Sequence, residues 1–259
     1  MSAGDQPTIL DRFRLDGRVV IVTGASSGLG VAFARACAEA GADVVLAARR
    51  IERLEETAAL VRAAGRRALP VATDVADPDA CQAMVDAAMA EFGRVDVLVN
   101  NAGVGTAVPA TRETPEEFRR VIDLNLNGAY WAAQASARVM QPGSSVINIA
   151  SIIGITTTGL PQAAYTASKA GLIGMTRDLA EQWASRKGIR VNAIAPGFFA
   201  TEMTDEYPEW YMPGMAPRML LGRQGDPEEL AATLVWLASP AGGYVTGQTI
   251  TVDGGVTIT

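Results

Sequence analysis

Short runs of β-branched and other apolar residues alternate along this chain with longer, alanine-rich amphipathic stretches, and that rhythm admits few folds. The apolar runs predict strands at residues 18–22, 43–47, 68–73, 95–99, 145–149, 189–194 and 249–252. The longer stretches predict helices at 29–40, 52–64, 78–93, 115–140, from Tyr165 to about residue 186, and at 227–238. Strands that alternate with crossover helices imply a parallel sheet covered on both faces. The nearly uninterrupted apolar character of residues 19–22 agrees, because strands buried on both faces have no polar side. The expected fold class is α/β: a single-domain, Rossmann-type, doubly wound parallel sheet of about seven strands. No change of composition and no Pro/Gly/Ser linker divides the chain. Residues 1–14 read as a polar tail, and 15–259 as one domain.

Residues 201–222 break the rhythm, being rich in methionine, proline and aromatic side chains. A long irregular insertion on a compact sheet is usually functional, and this one reads as a substrate lid. Its first half carries Glu202, Asp205, Glu206 and Glu209, which disfavours polyanionic substrates unless Arg218 or Arg223 compensates.

Composition excludes several functions. The formal charge is −6 with no basic stripe, which argues against a nucleic-acid partner. There is no histidine, and Cys37 and Cys81 are the only cysteines, without metal-ligand spacing. Two buried thiols and no metal site are expected, which fits a reducing, cytoplasmic setting. No apolar run approaches the length of a membrane span, and the N-terminus lacks a signal-peptide pattern.

Without histidine, acid/base chemistry near neutral pH needs another group. Tyr165 and Lys169 stand four apart in a helical stretch, a spacing that puts their Cβ atoms about 5–6 Å apart on one face. A cation beside a phenol favours the phenolate, so such a pair can pass a proton to or from a substrate oxygen. On an exposed helix the same spacing is an ordinary surface pair. The turn from Thr23 to Gly30, with Gly24, Ser26, Ser27, Gly28 and Leu29 within it, joins the first strand to the first helix. Glycines there allow a phosphate to approach backbone N–H groups at a helix N-terminus.

This glycine spacing, together with Tyr165-x-x-x-Lys169, resembles the classical short-chain dehydrogenase/reductases over roughly residues 15–259. The family's other motifs follow in order: Asn100-Asn101-Ala102-Gly103, Asn125, Ser151, Pro196-Gly197 with Thr201 five past the proline, and Asp253-Gly254-Gly255. Gly24–Gly30, Arg49, Asp74, Asn101–Gly103, Ser151 and Pro196-Gly197 each follow a predicted strand, where open parallel sheets bind ligands.

The resemblance implies a catalytic set of Asn125, Ser151, Tyr165 and Lys169. Tyr165 would exchange a proton with a carbonyl or alcohol oxygen that Ser151 holds. Lys169 would lower the Tyr165 pKa and bind the nicotinamide ribose, and Asn125 would anchor a water; an asparagine there could equally mark a bend in a long helix. The Ser151–Tyr165 gap of fourteen is at the long end for the family, so the pocket loop is expected to be locally reshaped. Cofactor contacts are expected from the glycine turn, Arg49, Asp74, Val75, Asn101, Ala102, Gly103, Pro196, Gly197, Phe199 and Thr201. Family members that select NAD carry an acid at the end of the second strand; here Ala47-Ala48 precede Arg49, which favours NADP(H) and leaves NAD(H) open. Ser27 stands where many NADP-preferring relatives have a basic residue.

For the substrate, Ser151, Ile153, Tyr165, Phe198 and Trp210 are the expected contacts. A small ketone/alcohol pair, with cyclic and sugar-like ones included, is favoured over the alternative, a 3-oxoacyl-(acyl-carrier-protein) reductase, because the turn 141–145 is uncharged and Glu181 lies on the catalytic helix. A non-catalytic dinucleotide-binding regulator would be expected to lose Tyr165 or Lys169, and both are present. The resemblance further implies a homotetramer built on the helices at 115–140 and 165–186.

Overall fold

A computed structural model of the chain describes residues 8–200 and 209–259. Seven strands form one sheet: β1 (Val19–Thr23), β2 (Asp43–Ala48), β3 (Ala68–Ala72), β4 (Val97–Asn100), β5 (Ser145–Ile149), β6 (Arg190–Pro196) and β7 (Thr249–Val252). Their spatial order is β3-β2-β1-β4-β5-β6-β7, and every neighbouring pair is parallel. The order reverses between β1 and β4, which leaves a crevice outside their carboxyl ends.

Alternation along each strand builds the two layers. Val20 and Val22 of β1 join one buried cluster, with Val44, Leu46 and Ala48 of β2. Val19 and Ile21, with Val45 and Ala47, join the cluster on the opposite face. The first layer is completed by α1 (Gly28–Glu39), α2 (Ile51–Ala63) and α8 (Pro227–Ala238), through Phe33, Leu54 and Leu234. The second uses α3 (Pro78–Phe92), α5 (Gly128–Val139) and α6 (Ala163–Lys187), through Met84, Ala132 and Leu179. Removing such side chains from water contributes about 1.5–3 kcal/mol each for the larger ones.

The predicted helix 115–140 is interrupted. It comprises α4 (Pro115–Ile122), a π turn at Asp123–Asn127, and then α5. Gly128 explains part of the irregularity, because a Cβ there would meet the Val75 carbonyl oxygen at 2.8 Å. Residues 95 and 96, predicted as strand, precede β4, and Asp96 uses its carboxylate to accept the Val19 N–H at 2.9 Å. Leu10–Phe13 form a 3-10 turn inside the segment read as a tail. Both cysteines are free and buried, and burial pushes each thiol up to about 12.

Candidate active site

The glycine turn is shaped by what its side chains would strike. Gly24 has φ +66°, a left-handed conformation that favours glycine, and a Cβ there would lie 2.8 Å from the Ala102 Cα. A Cβ on Gly30 would collide with the Gly24 carbonyl. The neighbouring strand end braces the turn. Asn101 Nδ2 donates to the carbonyls of Thr23 (2.9 Å) and Gly24 (3.2 Å), while Thr23 Oγ1 accepts from the N–H groups of Asn101 and Ala102 (3.0 and 3.1 Å).

Capping tells the same story from the helix ends. α3, α4 and α8 are closed by the side chains of Asp77, Thr114 and Asp226, each accepting from a first-turn N–H. α1 and α2 have no such side-chain cap at Ser27 and Arg50, and both of these residues line the crevice. Their first-turn N–H groups and the positive ends of their dipoles are left for an anionic ligand. A dinucleotide therefore fits the cradle that Gly24–Gly30 forms.

The crevice continues past Arg49, Arg50, Asp74 and Val75 at one end to Asn101, Ala102, Gly103, Ser151, Ile153, Tyr165, Lys169, Pro196, Gly197, Phe198 and Phe199 at the other. Among the predicted contacts, Ser26, Ser27, Gly28 and Leu29 also line it, while Gly30 is buried behind the turn. Asn125 sits behind the wall, 1 % exposed. Trp210 is 65 % exposed and does not join the lining; it stacks edge-on against Tyr211 with ring centres 5.8 Å apart. Thr201 falls outside the described residues, as does the rest of 201–208 in the segment expected to form a lid.

Some crevice residues were not singled out from the sequence. Arg50, the N-cap of α2, is the one with a readable signal, since it doubles the charge after β2; its Nη2 reaches Ser26 Oγ at 3.5 Å. Val104 and Leu124 carried none.

At the catalytic end, Tyr165 and Lys169 lie on α6, 9 % and 4 % exposed. Ser151 ends the turn after β5; its Oγ accepts from the Ile153 N–H at 3.2 Å and is hydrogen-bonded to Tyr165. Burial pushes the Tyr165 phenol above its ordinary value, and the Ser151 bond pulls it back only in part. Lys169 Nζ donates to the Ile149 carbonyl at 2.8 Å, and burial lowers its pKa to about 8. Its ammonium lies 5.5 Å from the Tyr165 ring centre, a cation–π distance.

The expected lowering of the Tyr165 pKa by Lys169 does not prevail in the protein by itself, where desolvation outweighs every other influence on the phenol. A protonated phenol bonded to a serine hydroxyl suits donation to a carbonyl oxygen. Asn125 completes the constellation from behind. Its Oδ1 accepts the Val104 N–H at 2.8 Å, and its Nδ2 donates to the Val104 carbonyl (2.9 Å) and to Ser168 Oγ (3.1 Å). Ser168 in turn donates to the Tyr165 carbonyl at 2.7 Å. The asparagine both marks a break in the helix and ties the strand-end loop to α6.

Residues 211–219 pack two methionines and one tyrosine into a cluster at this end. Tyr211 and Met215 of α7 (Tyr211–Met215), with Met219, share a buried cluster with Ile152, Tyr165 and Phe198. The Phe198 and Tyr211 rings meet edge-on, 5.9 Å apart.

A site of this kind defines a class, the dinucleotide-dependent oxidoreductases of the open parallel sheet, and comparison with known proteins narrows it. Residues 24–257 match the family model described as Enoyl-(Acyl carrier protein) reductase. The chain is 40% identical over 248 residues to the 3-oxoacyl-[acyl-carrier-protein] reductase FabG of Thermotoga maritima, covering 95% of this chain and 100% of that one. It is 40% identical over 252 residues to the 2-dehydro-3-deoxy-D-gluconate 5-dehydrogenase of Escherichia coli, covering 95% and 98%. Among solved structures, a short chain dehydrogenase from Burkholderia cenocepacia in complex with NADP superposes with a TM-score of 0.89 at 33% identity, covering 94% of this chain and 99% of that one.

The protein belongs to the short-chain dehydrogenase/reductase family. It is an NAD(P)-dependent oxidoreductase that transfers hydride between a nicotinamide and a carbonyl/alcohol pair of a small molecule.

Proposed function

We propose that the protein interconverts a small ketone and its secondary alcohol with NADP(H), with Tyr165 as the general acid/base. The observation that carries this reading is the convergence of Ser151, Tyr165 and Lys169, from a strand end and from α6, on one end of the dinucleotide crevice. Gly103, Pro196, Gly197 and Phe199 would hold a nicotinamide, whose chemistry when bound is hydride transfer. Ser151 holds the substrate oxygen, and Tyr165 delivers its phenolic proton to that oxygen in reduction and takes it back in oxidation. Lys169, protonated below about pH 8, keeps positive charge beside the oxygen and the ring. The Asn125 amide is engaged with Val104 and Ser168, so the water that the resemblance assigns to this residue would fall to its backbone carbonyl.

NADP is favoured over NAD because Arg49 and Arg50 lie together where the crevice passes β2, and Ala48 offers no carboxylate to a ribose diol. Thr201 would reach the carboxamide. Residues 201–222 would close over the substrate; the burial of Tyr211, Met215 and Met219 beside Tyr165 supports this. The family resemblance supports a homotetramer through α4, α5 and α6. The two free, buried cysteines suit a cytoplasmic enzyme, and no helix of the described residues is long and apolar enough to cross a membrane.

The test is oxidation of NADPH and NADH with a panel of ketones, repeated with Tyr165→Phe. Equal turnover by the two proteins would remove Tyr165 from the chemistry, and failure to bind either cofactor would remove the crevice from it.

A further inference from the structure

Resting on the hydride-transfer reading above, we infer that the carbonyl end of the crevice takes an uncharged, largely hydrocarbon ketone or secondary alcohol, and excludes sugar acids, free sugars and phosphate-bearing substrates.

The argument begins with where positive charge stands. Around Ser151 and Tyr165 the described lining consists of Val104, Leu124, Ile152, Ile153, Phe198 and Phe199, with Lys169 the one basic residue among them. Arg112, Arg119 and Arg120, before and within α4, are exposed and do not join that lining, and neither does Arg218. Its guanidinium is spent on backbone, donating to the carbonyls of Thr157 (2.9 Å), Val256 (3.2 Å) and Thr259 (3.4 Å). The next cation, Arg223, makes a two-point pair with Glu229 at 2.7 and 2.8 Å. Lys169 is buried against the Ile149 carbonyl, and Arg49 and Arg50 stand at the far end, beyond the glycine turn.

A carboxylate or phosphate entering this end would lose its hydration and gain no ion pair, which costs several kcal/mol. Polyhydroxylated substrates fare little better. The Tyr211 hydroxyl is bonded to Thr158, and the residues lining the crevice beside Ser151 and Tyr165, among them Ile152, Ile153 and Phe198, offer hydrocarbon. Sites that recognise sugars need several convergent polar groups; here Ser151 and Tyr165 are already occupied by the reacting oxygen. The apolar wall instead matches a ring or short chain that buries hydrocarbon around one carbonyl.

The experiment compares three ketones with the full-length protein and NADPH: methyl 4-oxocyclohexanecarboxylate, its free carboxylate, and a ketohexose. NADPH binding by fluorescence is measured alongside. The ester is expected to have a kcat/KM at least about tenfold above the carboxylate and above the sugar, the cost of one unpaired charge or unmet polar group. A carboxylate or ketohexose that matches or exceeds the ester would overturn the inference and leave the hydride-transfer reading intact. Turnover of none of the three, with NADPH still bound, would overturn both.

Discussion

The Lys169 ammonium lies over the face of the Tyr165 ring, 5.5 Å from its centre, and is hydrogen-bonded to the Ile149 carbonyl rather than to the phenol oxygen. Burial acts on the two in opposite senses: the amine is made easier to deprotonate and the phenol harder. The proton therefore resides on Tyr165 over the whole neutral range, and Lys169 sets the upper pH limit at which a positive charge stands behind it. Tyr165→Phe should lower kcat by about 10²–10⁴, the usual contribution of a positioned acid. NADPH binding by fluorescence and the thermal midpoint should stay near wild type, because the ring remains in its cluster.

Lys169 should be visible in two pH profiles. In carbonyl reduction, kcat/KM should fall as pH rises through about 8, where the buried ammonium loses its proton. In stability, the folded pKa lies below the unfolded value of about 10.5, so between about pH 8 and 10.5 the unfolded chain holds more protons and stability rises with pH. Above about pH 10 the raised Tyr165 pKa acts the other way and stability declines, because the folded phenol keeps a proton that the unfolded one releases. Lys169→Met should remove the rise between 8 and 10.5 in a urea-denaturation series, and should flatten the activity limb at a low level. A rise that survives the substitution would assign it to another group.

Arg49 and Arg50 should decide the cofactor. Each is exposed at the crevice, and a charge-assisted hydrogen bond to a phosphate contributes about 1.5–3 kcal/mol. Arg49→Ala and Arg50→Ala should each raise the KM for NADPH by about tenfold and leave that for NADH nearly unchanged. Equal effects on both cofactors would place the arginines on the pyrophosphate or on no ligand at all.

The strand and helix rhythm was legible because parallel strands buried on both faces carry an unbroken apolar signal, and the helices between them carry caps such as Thr114 and Asp226. The π turn at Asp123–Asn127 was not, because its cause is non-local: Gly128 lies against Val75, and Asn125 grips Val104, twenty-one residues away. The site residues that follow strands could be placed from topology alone. Trp210 could not, since aromatic character does not say whether a lid side chain faces in or out, and here it is exposed while Tyr211 beside it is buried. The proton balance at Tyr165 was also hidden. Spacing brings a cation near a phenol, but only burial reveals that desolvation dominates.

Asn125 offers a sharp separation of scaffold from chemistry. Asn125→Ala would leave the Val104 N–H and carbonyl without these partners in a half-buried setting, and would take from Ser168 Oγ the one N–H it accepts from Asn125. An unmet buried polar group costs about 1–3 kcal/mol, so a loss of several kcal/mol in stability is expected together with lower activity. Asn125→Asp keeps an acceptor for the Val104 N–H and loses the two donations. It should recover only part of the stability in the same denaturation experiment.

Arg218 joins three pieces of chain that sequence separates widely. From the 3-10 turn at Ala216–Arg218 it donates to Thr157 in the loop after Ser151, and to Val256 and Thr259, while Thr259 Oγ1 donates back to the Arg218 carbonyl at 3.2 Å. None of these bonds touches the glycine turn, so residues 209–222, the described part of the proposed lid, would loosen without disturbing the cofactor cradle. Arg218→Ala should therefore raise the KM for the ketone severalfold or more, leave the Kd for NADPH unchanged, and speed proteolytic cleavage of the segment around residue 210. Arg218→Lys, which keeps charge but not the planar fork, should restore little of this. Parallel weakening of ketone and NADPH binding would instead make Arg218 a general support of the fold rather than a clamp on the lid.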